Sequence, residues 1–261
     1  MKKLLNPIIL SIAITVAILA FSSCNGNKTS SNEAPEAADS VAAVPDTGFT
    51  GIKKLMSGKY LVSETTYKNG VEQGLKKTFY MSGNLRQTFW YENGLREDSS
   101  RWYYEEGQVF RITPYLHDTI NGTQTQYYRT GEVKAILKYK KGLREPFLEE
   151  YTRNGTLIKN YPSLVINTSD EYKTKGIYHI TLELSNKAQK VRYYRGDYTN
   201  GLFDTTHLEK IHTVKGIGYL NLKKSSKAHS ATVDVIAEIL TNFGNNYLVH
   251  KKITLPYNDL N

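Results

Sequence analysis

Apolar and polar residues alternate along most of this chain, and from Tyr67 to Gly155 the alternation itself repeats. Tyr67, Tyr91, Tyr115 and Tyr139 stand 24 residues apart, and so do Gly83, Gly107, Gly131 and Gly155. The small apolar set Leu85, Val109, Val133 and Leu157 keeps that phase, as do Phe79, Tyr103, Tyr127 and Tyr151. A fixed period in this range marks stacked copies of one supersecondary unit. Within a copy, residues alternate as in a strand: Leu85, Phe89 and Tyr91 fall on one face of the arm that ends at Asn93-Gly94. Asn-Gly is a strong two-residue hairpin signal because both positions accept positive φ. Gly70, Gly94 and Gly142 share that turn slot, and Asp118 fills it in the third copy. Ser82-Gly83, Glu106-Gly107, Thr130-Gly131 and Asn154-Gly155 mark the other turn. The expectation is a row of β-hairpins over residues 51–162 in one long antiparallel sheet, each copy advancing it by roughly 10 Å. Pro114 stands where Trp90 and Lys138 do, which predicts a bulge or interrupted pairing there.

From residue 163 to 261 the period disappears and short alternating runs replace it. Tyr178, Ile180, Leu182 and Leu184 alternate with His179, Thr181 and Glu183. Val233, Val235, Ala237 and Ile239 form a second run, and Val249, Lys251, Ile253 and Leu255 a third. Six or seven strands with turns such as Asn200-Gly201 and Gly244-Asn245 predict a β-sandwich of immunoglobulin-like type. The whole chain is therefore expected to be all-β.

The first 50 residues carry neither pattern. Lys2 and Lys3 precede an apolar run from Pro7 to Phe21, too short for a comfortable membrane span and typical of an export signal. Phe21-Ser22-Ser23-Cys24 resembles the bacterial lipobox, with Phe21 in place of the usual Leu. That resemblance implies cleavage after residue 23, lipidation of Cys24 and a stable acyl anchor in the membrane. Asn25 after the cysteine, by analogy with enteric lipoproteins, points to the outer membrane. Residues 24–50 are rich in Ser, Ala, Asn and Pro, with Glu33, Glu36, Asp39 and Asp46 against Lys28, and read as a disordered tether.

Composition adds three constraints. Cys24 is the one cysteine, which excludes an intrachain disulfide or a cysteine-rich zinc site. Tyr is abundant, 20 residues against 8 Phe and 2 Trp, in keeping with half-buried strand faces. The formal charge of +9 is spread through the strands rather than gathered into runs, so a nucleic-acid partner is not expected.

The repeat has a family likeness. Asn69-Gly70, Gly74, Phe79-Tyr80, Gly83, Leu85, Tyr91 and Asn93-Gly94 resemble the bacterial variant of the MORN (membrane occupation and recognition nexus) repeat. Gly122, Tyr127-Tyr128, Gly131, Val133-Lys134, Tyr139 and Gly142 repeat the pattern, while Asp98 and Pro146 depart from it. The resemblance implies a β-hairpin array used for protein or membrane contact; some relatives carry antitoxin-like labels.

No hydrolase elbow, phosphate loop or dinucleotide fingerprint is present. Asp204, His207 and His212 lack the spacing of a zinc site. The expectation is a non-enzymatic cell-envelope lipoprotein without cofactor or metal, whose repeat sheet recognises a protein partner. Alternatives are a surface glycan or anionic lipid. Trp90, Trp102, Tyr104 and Tyr128 are the stacking candidates, and Arg86 and Lys134 stand among the basic ones.

Overall fold

The structure, a computed structural model, describes residues 48–227 and 230–261. The expected export signal, Cys24 and the tether up to residue 47 lie outside the described residues.

The repeats form strands β1 (Gly51–Ser57), β2 (Tyr60–Lys68), β3 (Val71–Phe79), β4 (Leu85–Glu92) and β5 (Leu95–Tyr103). They continue as β6 (Val109–Leu116), β7 (Thr119–Ile120), β8 (Gly122–Tyr127), β9 (Val133–Lys140) and β10 (Leu143–Glu150). All pair antiparallel in one sheet, in chain order, with β7 attached to β6 beside β8. Both turn residues have positive φ at Asn69-Gly70, Asn93-Gly94, His117-Asp118 and Lys141-Gly142, the type I′ pattern that matches strand twist.

A second left-handed slot also keeps the period. Gly74 (φ 90°), Asp98 (φ 58°) and Gly122 (φ 115°) each sit where the ladder slips register. Two extra residues on the inner arm (73–75 opposite Thr66, 98–100 opposite Phe89) bulge the sheet and increase its twist. Asp98 shares the positive φ of the glycines, because aspartate tolerates this region. Pro146 cannot adopt it, and in the fourth copy the ladder skips from Arg144 to Leu148. At Pro114 the pairing is interrupted on one side only. β5 passes Ser99 opposite Pro114, whereas the other neighbour is split into β7 and β8. Asn121 donates its N–H to the Pro114 carbonyl at 3.1 Å across the break.

The second half holds eight strands: β11 (Leu164–Glu171), β12 (Ile177–Leu184), β13 (Val191–Arg195), β14 (Glu209–Lys210), β15 (His212–Val214), β16 (Ile217–Lys223), β17 (Thr232–Leu240) and β18 (Asn246–Thr254). A one-turn helix, α1 (Tyr172–Lys175), links β11 to β12. The sheets run β11-β12-β16-β15 and β14-β13-β17-β18. Lettered in chain order, these are A-B-E-D and C′-C-F-G, the immunoglobulin arrangement. Ile180, Leu182, Leu184, Leu220 and Leu222 face Val191, Tyr193, Val233, Val235, Ala237 and Ile239 across the core.

Tyr193 occupies the strand on which antibody domains carry their buried Trp. It is fully buried and donates its hydroxyl to the Gly216 carbonyl at 3.0 Å. Burial pushes its phenol up to about 12. The ring lies against Gly218, where an added Cβ would stand 2.6 Å from Tyr193 Cδ2. Gly218→Ala must displace that ring, and urea unfolding is expected to show a loss of about 1–3 kcal/mol.

Candidate functional site

The repeat sheet has two unlike faces. On one, the tyrosine ladder is filled by cations from neighbouring strands. The Arg96 guanidinium lies 4.5 Å from the Tyr115 ring and 5.9 Å from Phe89, held by an ion pair of 2.8 Å to Asp118. Lys53 Nζ sits 5.2 Å from Tyr67, Lys76 Nζ 5.7 Å from Tyr91, and the Arg144 guanidinium 5.6 Å from Tyr139. Trp102 is on this face, buried, with the Arg111 guanidinium 3.1 Å from its ring centre and Phe110 stacked at 6.1 Å. Such pairs are favourable for ring and cation alike, so the ladder is a packed layer rather than a bare aromatic platform.

Tyr104 and Tyr128 serve the array itself. The Tyr80 hydroxyl donates to the Tyr103 carbonyl at 2.6 Å, Tyr104 to Tyr127 at 2.9 Å and Tyr128 to Tyr151 at 2.6 Å. Each tyrosine reaches one repeat ahead, and burial raises the pKa of all three phenols. At the opposite end of the hairpins, Gln73, Glu97 and Asn121, again 24 residues apart, accept the turn N–H of Asn93, His117 and Lys141. The period is visible in the sequence; these bonds are not, because the partners lie in the adjacent copy.

Trp90 lies on the other face. It pairs with Leu75, and Ile52 joins them through Thr66. Ile52 is 60% exposed, Leu75 38% and Trp90 43%, so an apolar strip crosses β1 to β4 in contact with solvent. Lys54, Glu64 and Lys77 run beside it as an ion-pair row, with Glu64 3.2 Å from Lys54 and 3.9 Å from Lys77. The two tryptophans therefore do not share a surface. Arg86 and Lys134 are half-buried on the Trp90 face, farther along β4 and on β9; the Arg86 guanidinium lies 6.0 Å from the Tyr80 ring.

The two ends of the sheet differ. Among the described residues β1 pairs only with β2. β10 meets the sandwich. Arg144 bridges to Phe203, whose N–H donates to the Arg144 carbonyl at 2.8 Å, and the Arg144 guanidinium donates to the Asn246 carbonyl at 3.1 Å. Glu150 is 0% exposed. Its carboxylate accepts from Thr241 Oγ1 at 2.7 Å, Asn245 Nδ2 at 2.8 Å and Tyr161 Oη at 3.3 Å. Gln126 donates to Asn245 Oδ1 at 2.8 Å, and Tyr161 stacks on Tyr247 at 4.2 Å.

No family model matches the chain, and no curated protein matches it by sequence.

The residues weighed as a metal set do not converge. Asp204 accepts from Thr206 N at 3.0 Å and turns a short 3₁₀ segment; His207 Nε2 lies 3.6 Å from its carboxylate, while His212 on β15 faces Tyr219 on β16. Asp197, Asp234 and His250 do converge, with one ligand atom each within 4.8 Å. His250 Nε2 is 2.9 Å from Asp234 and 3.3 Å from Asp197, so the imidazole and both carboxylates hold one another. Separations of 37 and 16 residues gave no motif to find. Among the described residues no helix is long and apolar enough to cross a membrane.

Glu150→Ala leaves three donors facing a cavity. A loss of about 2–3 kcal/mol is expected, with faster hydrogen exchange in β10 and residues 241–247 while β12 stays protected.

Proposed function

We propose that the chain is a non-enzymatic, lipid-anchored envelope protein, tethered at Cys24 in the outer membrane, whose MORN-like repeat sheet recognises a protein partner. The observation that carries the recognition reading is the exposed strip of Ile52, Leu75 and Trp90, at the end of the sheet away from the sandwich. Aromatic anchors flanked by aliphatic residues and a charged rim are what interfaces concentrate. The other face offers less, since its rings are covered by Arg96, Arg111 and Arg144. The Phe21-Ser22-Ser23-Cys24 sequence and the acidic tether support the anchor, and the type I′ turns and left-handed bulge slot support the MORN likeness.

A photo-crosslinkable residue at position 90 is expected to give a discrete protein adduct in intact cells, while the same residue at Lys173, on α1, gives none. Equal labelling from both positions, or none from 90, would sink the recognition reading. Metabolic labelling with an alkynyl fatty acid is expected to mark the protein and to be lost in Cys24→Ala; label retained in the variant would remove the anchor.

A further inference from the structure

The sandwich carries a cleft of about 630 Å³ lined by β13, the β14–β15 segment and the β15–β16 turn, with the core residues Val191 and Ile211 at its floor. Its polar lining is Gln189, Arg192, Lys210, His212, Thr213 and Lys215, with no carboxylate among the lining residues. Arg192 is held by a fork of two 2.9 Å contacts to Glu238, one from Nε and one from a terminal nitrogen, which fixes its plane and offsets its charge. The nearby Glu209 lies 3.6 Å from Arg195 instead. Lys210 and Lys215 have no carboxylate partner among the described residues. Two uncompensated ammonium groups, one from β14 and one from the β15–β16 turn, thus flank one concavity.

The cleft is rigid. Lys215 and Gly216 both have positive φ, and an added Cβ at Gly216 would stand 2.8 Å from Gln189 Cα and 2.9 Å from the Ala188 carbonyl. The turn is therefore pressed against the preceding loop, and the Tyr193 hydroxyl holds the Gly216 carbonyl from inside the core. A site built this way needs little ordering when it binds. Outside the lining, the exposed Tyr219 ring on β16 lies 6.4 Å from His212 at 39°, a ring surface beside one lining residue. Separated cations, amide and hydroxyl groups and an adjacent ring face suit a chain of sugar rings bearing carboxylates. The neighbouring exposed aliphatic residue is Val214, too small to anchor an acyl chain.

We infer that this cleft is a binding site for an anionic oligosaccharide, with Lys210 and Lys215 contacting its acidic groups and Tyr219 packing on a sugar ring. It is independent of the strip around Trp90 and of its partner.

The test is calorimetric titration of the full chain with tetragalacturonate. Binding is expected that weakens as salt rises, falls at least tenfold in Lys210→Gln/Lys215→Gln, and falls in Tyr219→Ala. An unchanged circular dichroism spectrum and melting temperature show that the variants are folded. Neutral maltotetraose is expected not to bind. Any of four results overturns the inference: no binding of tetragalacturonate, equal affinity in the lysine variant, equal affinity for inorganic phosphate, or tighter lysine-dependent binding to phosphatidylglycerol vesicles or to single-stranded oligothymidine.

Discussion

A strand at the edge of a sheet must leave alternate N–H and C=O groups without a partner, and a hairpin alone always has two such edges. In this protein each hairpin's edges are satisfied by the next copy, and the copies are locked by bonds that recur with the period. Tyr80, Tyr104 and Tyr128 reach forward at one end of the hairpins; Gln73, Glu97 and Asn121 reach turn N–H groups at the other. Because both sets join neighbours, removing one copy would strand groups in two others. The array is stable as a row or not at all.

A row must end, and its two ends are treated differently. At β10 the Arg144–Phe203 bridge continues the backbone ladder by one more pairing, and Glu150 is wrapped by Thr241, Asn245 and Tyr161. A buried carboxylate met by neutral donors is tolerable only when each oxygen is bonded, so the junction has little freedom to rearrange. The sandwich is thereby a cap as well as a fold of its own. At the other end β1 pairs with β2 alone among the described residues, and the exposed apolar strip begins there.

This division of labour bears on function. The face carrying Tyr91, Trp102, Tyr115 and Tyr139 spends its rings on internal cation contacts. Exposed apolar surface lies on the Trp90 face and, separately, a basic cleft lies in the sandwich. If both proposed sites bind, their different chemistry, one apolar and one cationic, would let two kinds of ligand be held without competition.

Much of the architecture was legible in the chain because it is local. Period-2 alternation, the 24-residue spacing and Asn-Gly at the turns name strands and hairpins directly, since each depends on residues a few positions apart. Even the slot of Gly74, Asp98 and Gly122 could be seen to repeat, although its meaning, a left-handed bulge, needed the backbone. Alternation also suggested a sandwich, but not which strands share a sheet. What tertiary structure alone decided is which face each aromatic occupies and what covers it. Trp90 and Trp102 look alike as candidates in the sequence. Bulges and registers place them on opposite faces, one exposed and one beneath Arg111. Glu150 against Thr241 and Asn245, and Gly216 against Gln189, are likewise invisible along the chain. Their contacts span loops whose closure no local preference encodes, and only the packing of sheet against sheet brings them together.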